Sequence, residues 1–207
     1  MQRAESYGQR GLTFVDRLGV WLSYRAVNRF LPRRNDLEVL ELGCGYHARH
    51  LTALRPRLKR GIGVDIKIAP HLHDVEHLTL HEGLIEEILP RLQEERLDAI
   101  LIISVLEHLR EPLFTLESVW QLLKPSGVLL VNVPTWLGKF FLEFSAFRLG
   151  LSPKCEIDDH KMYYNKRDLW PLLIRSGFKP SQVKLYYHKF GLNLFATATK
   201  DSLHPIA

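Results

Sequence analysis

The chain has 207 residues, 46% of them hydrophobic and 25% charged, which suffices for one well-buried core and leaves a second domain cramped. Its longest uncharged apolar run, Ala99 to Leu106, suits a strand and is far too short for a membrane span; Cys44 and Cys155 alone make a disulfide framework or zinc cluster improbable. The first residues, M-Q-R-A-E-S-Y, carry no apolar leader, so the cytoplasm is the default, and the net charge of +5 is spread along the chain as solvated surface apart from an arginine-rich start.

Residues 13 to 31 place Phe14, Val15, Leu18, Leu22, Val27, Phe30 and Leu31 at roughly helical spacing with Arg17, Arg25 and Arg29 between them. The pattern predicts an amphipathic helix ending at Pro32. A first strand follows at Glu38 to Leu42, then a helix from Tyr46 to Leu54 stopped near Pro56, and a second strand from Gly61 to Asp65. Leu78 to His81 reads as a third strand, Leu84 to Leu92 as a helix, and Leu97 to Ser104 as a fourth strand. Pro112 to Leu123 is a helix with Leu113, Leu116, Val119, Trp120 and Leu123 inward, and Val128 to Val133 a fifth strand. Alternation of helices with continuously apolar strands implies a mostly parallel, doubly wound α/β sheet covered on both faces.

The last third departs from this alternation. Thr135 to Tyr164 is rich in aromatics, with Trp136, Phe140, Phe141, Phe144 and Phe147 on one helical face. Next comes a helix capped by Gly177; with Asp168 as its N-cap, Pro171 falls where a missing N–H costs nothing. Val183 to Phe190 and Leu192 to Thr199 are β-rich runs around Gly191, a hairpin signal.

The segment Val39 to Gly45, V-L-E-L-G-C-G, with Asp65 twenty positions beyond the turn, carries the chemistry. A strand enters a glycine turn and a helix, and the next strand ends on a carboxylate, an arrangement that binds an adenosine. Gly43 and Gly45 allow a tight bend and a close backbone approach, and Asp65 can accept hydrogen bonds from both ribose hydroxyls. Gly43-Cys44-Gly45-Tyr46-His47-Ala48 also satisfies the dinucleotide pattern G-x-G-x-x-A. Glu41 opposes that reading, since a carboxylate there repels a pyrophosphate and suits an ammonium; His47, Arg49 and His50 on the first helical turn favour an anion.

In order and spacing, Glu41-Leu42-Gly43-Cys44-Gly45, Asp65, Leu97-Asp98-Ala99-Ile100, Ser104-Val105-Leu106-Glu107-His108-Leu109 and Leu123-Lys124-Pro125-Ser126-Gly127-Val128 resemble the motifs of class I S-adenosylmethionine-dependent methyltransferases. The resemblance covers residues 36 to 200 and implies a three-layer α/β/α fold of seven strands, the last antiparallel, with S-adenosyl-L-methionine as cofactor. It implies a helical cap at 1–35, a methyltransferase domain at 36–200 with a substrate lid inserted at 135–164, and a tail at 201–207. The cofactor-binding residues it implies are Glu41, Gly43, Cys44, Gly45, Asp65, Ile66, Glu82, Gly83, Leu84, Ser104 and Val105. His47 replaces the third glycine of the usual motif, and Glu82-Gly83-Leu84 stands where the family contacts adenine.

Methyl transfer requires in-line alignment and, for a hydroxyl acceptor, removal of a proton. His160 with Asp159, and His108 after the fourth strand, are the candidate catalytic residues; a cofactor-packing role competes for His108, and a plain surface loop for His160. Asp158-Asp159-His160 lacks a definable metal ligand set. Ser104-Val105-Leu106-Glu107 stands where nucleic-acid amino-methyltransferases carry Asn or Asp before Pro-Pro and an aromatic, so a nucleic-acid partner is not expected. A small-molecule or lipid- or glycan-linked acceptor, methylated on oxygen, ranks first; RNA methylation and a non-catalytic methyltransferase-like partner protein are the alternatives. The basic first helix is a candidate for peripheral membrane contact.

Overall fold

The computed structural model describes residues 6–9, 14–140 and 162–202, with side chains from residue 17 onward in the first helix. Helix α1 spans Phe14–Phe30, followed by β1 Leu37–Leu42, α2 Arg49–Leu54, β2 Leu58–Asp65 and β3 Leu78–Glu82. Then come α3 Ile85–Ile88, β4 Leu97–Ile103, α4 Pro112–Leu122, β5 Leu123–Pro134, α5 Lys166–Arg175, β6 Val183–His188 and β7 Asn193–Thr199. Residues 136–140 are helical.

All seven strands join one sheet in the order β3-β2-β1-β4-β5-β7-β6. The pairs from β3 to β5 are parallel, whereas β7 runs antiparallel to both β5 and β6. Successive side chains of a strand point to opposite faces. Leu40 and Leu42 of β1, Ile100 and Ile102 of β4, and Leu129, Val131 and Val133 of β5 therefore share one core with Leu116 and Val119 of α4 and Leu169 and Leu173 of α5. Leu37 and Val39, Ala99 and Leu101, and Val128 and Leu130 face the other core, closed by Val27 of α1 and by Leu51 and Leu54 of α2. Both layers are required because these strands are apolar on both faces.

Several elements differ from the sequence reading in their starts. Helix α1 buries Ser23 and Val27, while Leu18, which the apolar spacing counts in its inward stripe, is exposed. Helix α2 begins at Arg49 because Ala48 sits at φ 42°, a left-handed conformation that cannot belong to a helical turn. Asn165, not Asp168, caps α5: its side chain accepts the N3 amide, while the Asn165 N–H donates to Asp168 Oδ2 at 2.8 Å. Pro171 consequently lies inside the helix. The exit follows expectation, with Gly177 at φ 115° and Phe178 N–H reaching back to Leu173 carbonyl.

The edge carrying the N-terminal ends of the parallel strands is closed by charge. Asp98 accepts from Arg34 at 2.5 Å, Lys124 at 3.0 Å and the Glu38 amide at 2.9 Å, and Lys124 also binds Glu38 at 2.6 Å. The Lys124 contact holds the Glu38 carboxyl below its ordinary range. This places a structural ion network at one edge and leaves the opposite edge, where parallel sheets bind ligands, to the glycine turn.

Candidate functional site

Strand β1 lies between β2 and β4, where the strand order reverses, and the helix after β1 packs on one face of the sheet while the helix after β4 packs on the other, which opens a crevice at the C-terminal strand ends. Register brings the tips together: Leu42 pairs with Val64 and with Ile102, Asp65 with Glu82, and Ile103 with Asn132. Glu41, the glycine turn, Asp65, Glu82, Gly83 and Ser104 thus share one edge.

The turn is shaped by two left-handed glycines, Gly43 at φ 72° and Gly45 at φ 73°. The amides of Gly43 and Cys44 both donate to the Val64 carbonyl, at 2.7 and 3.1 Å, fixing the bend against β2. An added Cβ at Gly43 would come within 2.2 Å of the Val105 side chain. The space a side chain would need at Gly43 is filled by Val105 from the loop after β4, so only glycine fits this bend. Cys44 turns inward among apolar neighbours, its thiol pushed far up by burial and by the nearby Glu41 and Asp65 carboxylates.

Asp65 is the hub of the edge. Its Oδ2 accepts the Gly45 N–H at 2.7 Å, and Oδ1 accepts the Ile66 N–H at 2.9 Å and the Ser6 hydroxyl at 2.6 Å. Glu82 is exposed, and its Oε1 accepts the Ile68 N–H at 2.7 Å, bracing the loop after β2. Gly83 donates to the Asp65 carbonyl at 2.9 Å, and Leu84, half-buried, precedes α3. Ser104 sits at φ 57° with its Oγ accepting from Asn132 Nδ2 at 3.3 Å. Half-buried His108 closes the short turn after β4 through its amide to the Val105 carbonyl. His160 and Asp159 lie outside the described residues.

Glu41 is 1% exposed, and its Oε1 meets His50 Nδ1 at 2.7 Å, while Oε2 has no hydrogen-bond partner. This takes His50 out of the anion reading of the helix start, since its ring turns to Glu41. Sequence reasoning missed this pair, although the spacing of nine residues across a strand–turn–helix unit places the two side chains on one side of the turn. It also missed Ser6, which no local pattern marks, and the basic tip between β6 and β7. There burial pulls His188 down to about 4 and Lys189 down to about 8, the latter partly offset by Glu107.

These features fit the cofactor that the motifs imply. A nucleoside diol needs an acceptor at a strand tip, as Asp65 provides, and a methionine ammonium needs a buried anion with an open lone pair, as Glu41 Oε2 provides. Among the described residues no group of three or more His, Cys, Asp or Glu could hold a metal ion.

Comparison with known proteins agrees. Residues 17–183 match the family model described as a methyltransferase domain. Solved structures share the fold at low identity: an S-adenosylmethionine-dependent methyltransferase from Archaeoglobus fulgidus is 16% identical with TM-score 0.67, covering 92% of this chain and 96% of that one. The complex of the Haloferax volcanii Trm112 methyltransferase activator with a methyltransferase gives 15% identity and TM-score 0.69, with 90% and 93% covered. An O-methyltransferase family protein from Burkholderia thailandensis gives 17% and 0.62, with 91% of this chain and 59% of that one covered. No curated protein matches the sequence.

Breaking the Glu41–His50 pair strands a carboxylate in the interior. We expect His50→Leu to lower the unfolding free energy by about 3 to 5 kcal/mol in a urea titration at neutral pH. A loss below about 1 kcal/mol would contradict a buried, paired Glu41.

Proposed function

This chain belongs to the methyltransferase domain family and is an S-adenosylmethionine-dependent methyltransferase, and we propose that it methylates an oxygen of a small or lipid- or glycan-linked acceptor. The observation that supports the placement of the donor is the pair of carboxylates on neighbouring strands: Asp65 beside the Gly45 amide, and buried Glu41 with one oxygen that has no partner. When bound, S-adenosylmethionine supplies an electrophilic methyl on a sulfonium that departs as a neutral thioether. Asp65 would accept the ribose hydroxyls and Glu41 Oε2 the ammonium, while Val105 against Gly43 makes the wall between donor and acceptor sides. The acceptor would enter beyond the ends of β4 and β5, where His108 stands. His160 with Asp159 remains the proposed base for an acceptor hydroxyl.

The same edge supports an amphiphilic acceptor. Phe190 at the tip between β6 and β7 is 93% exposed, and Trp136, Leu137 and Phe140 after β5 are exposed as well. Thr135 ties the two segments through its N–H to Leu192 and its hydroxyl to Gly191. Large apolar side chains held in water beside a reaction edge favour an apolar partner. On α1 the outward face carries Leu18 and Trp21 with Arg17, Arg25 and Arg29, an arrangement suited to an anionic lipid surface.

Calorimetry with S-adenosylhomocysteine and with adenosine tests the donor site. Glu41→Gln should weaken S-adenosylhomocysteine about tenfold and leave adenosine nearly unchanged, the loss of one charge-assisted contact; equal losses for both would contradict the ammonium role. Flotation tests the surface: the protein should rise with phosphatidylglycerol vesicles and not with neutral ones, and the double variant Leu18→Glu, Trp21→Glu should stay below. Binding indifferent to lipid charge would refute it.

A further inference from the structure

Residues 6–9 lie directly on the glycine turn. Ser6, 4% exposed, places its hydroxyl 2.6 Å from Asp65 Oδ1. The Tyr46 amide donates to the Tyr7 carbonyl at 3.0 Å, and an added Cβ on Gly45 would stand 3.2 Å from that same oxygen. The Gln9 N–H closes the segment on the Ser6 carbonyl at 3.2 Å. A hydroxyl on the strand-tip carboxylate and a carbonyl on the turn amide are the kinds of contact a nucleoside would make there.

We propose that Ser6 to Gln9 form an autoinhibitory strap that imitates the nucleoside, so that adenosyl ligands bind only when the strap swings away. The proposal rests on the reading of Asp65 as the ribose acceptor. Its physical basis is capacity: a carboxylate offers about four lone-pair positions. Three are filled, by the amides of Gly45 and Ile66 and by the Ser6 hydroxyl. A vicinal diol brings two donors, and both amides are fixed by the backbone of the turn and of the strand end. Ser6 is the donor that can leave. The apparent affinity for the ligand is then the intrinsic affinity multiplied by the fraction of molecules with the strap open.

The test is calorimetric titration of S-adenosylhomocysteine into the full chain, Ser6→Ala and a variant lacking residues 1–9. The dissociation constant should fall about threefold for Ser6→Ala and about tenfold for the truncation, as the closed state is depopulated. Unchanged or weaker binding in both variants would overturn the strap. Absence of binding in all three proteins would instead overturn the ribose reading beneath it. In the full chain, ligand should also speed hydrogen exchange at the Gln9 amide, whose hydrogen bond to the Ser6 carbonyl closes the strap; slower exchange there would show closure over the ligand and contradict the proposal.

Discussion

The functional edge depends on one short contact, the Asp65 carboxylate on the Gly45 amide at 2.7 Å. It joins the tip of β2 to the turn after β1, and through that turn it fixes where α2 begins. A carboxylate accepting two backbone N–H groups is held in one orientation, so its remaining lone pairs have a defined geometry. Glu41, one strand over, depends on the same bend, because the turn sends the chain into α2 and brings His50 back over it. The two acidic groups stay apart in role: Glu41 gives one oxygen to an imidazole and leaves the other without a partner, and Asp65 is left to trade partners.

The two ends of the sheet divide the work of stability and function. At the N-terminal edge Arg34, Glu38, Asp98 and Lys124 satisfy one another, and Lys200 donates to the carbonyls of Trp120 and Leu123, closing the end of α4. At the C-terminal edge groups are left open or exchangeable, among them Glu41 Oε2 and the Ser6 contact. Unpaired polar atoms in the interior cost stability, and they are tolerated where a ligand can complete them.

The central strands β1, β4 and β5 were legible in the sequence because each is apolar on both faces, and the closing hairpin because Gly191 interrupts two β-rich runs. Their order and direction came from the motif resemblance, and the observed sheet agrees with it. Helix starts were less legible. Ala48 in a left-handed conformation and the Asn165 capping box depend on contacts that residue identity only suggests, so α2 begins later than read and α5 earlier. Within the site the short-range pieces, Gly43, Gly45 and Asp65, were readable from spacing. Val105 in the Gly43 hollow, His50 on Glu41 and Ser6 on Asp65 were not: each arises from packing between segments that local pattern does not connect.

The claim that organises the whole account is that Asp65 is the ribose acceptor, and the binding constant of S-adenosylhomocysteine for Asp65→Ala tests it most directly. Loss of its hydrogen bonds should weaken binding by about ten- to a hundredfold, corresponding to about 1.4 to 3 kcal/mol, with the fold retained by circular dichroism. An affinity equal to that of the parent protein, with the fold intact, would contradict it.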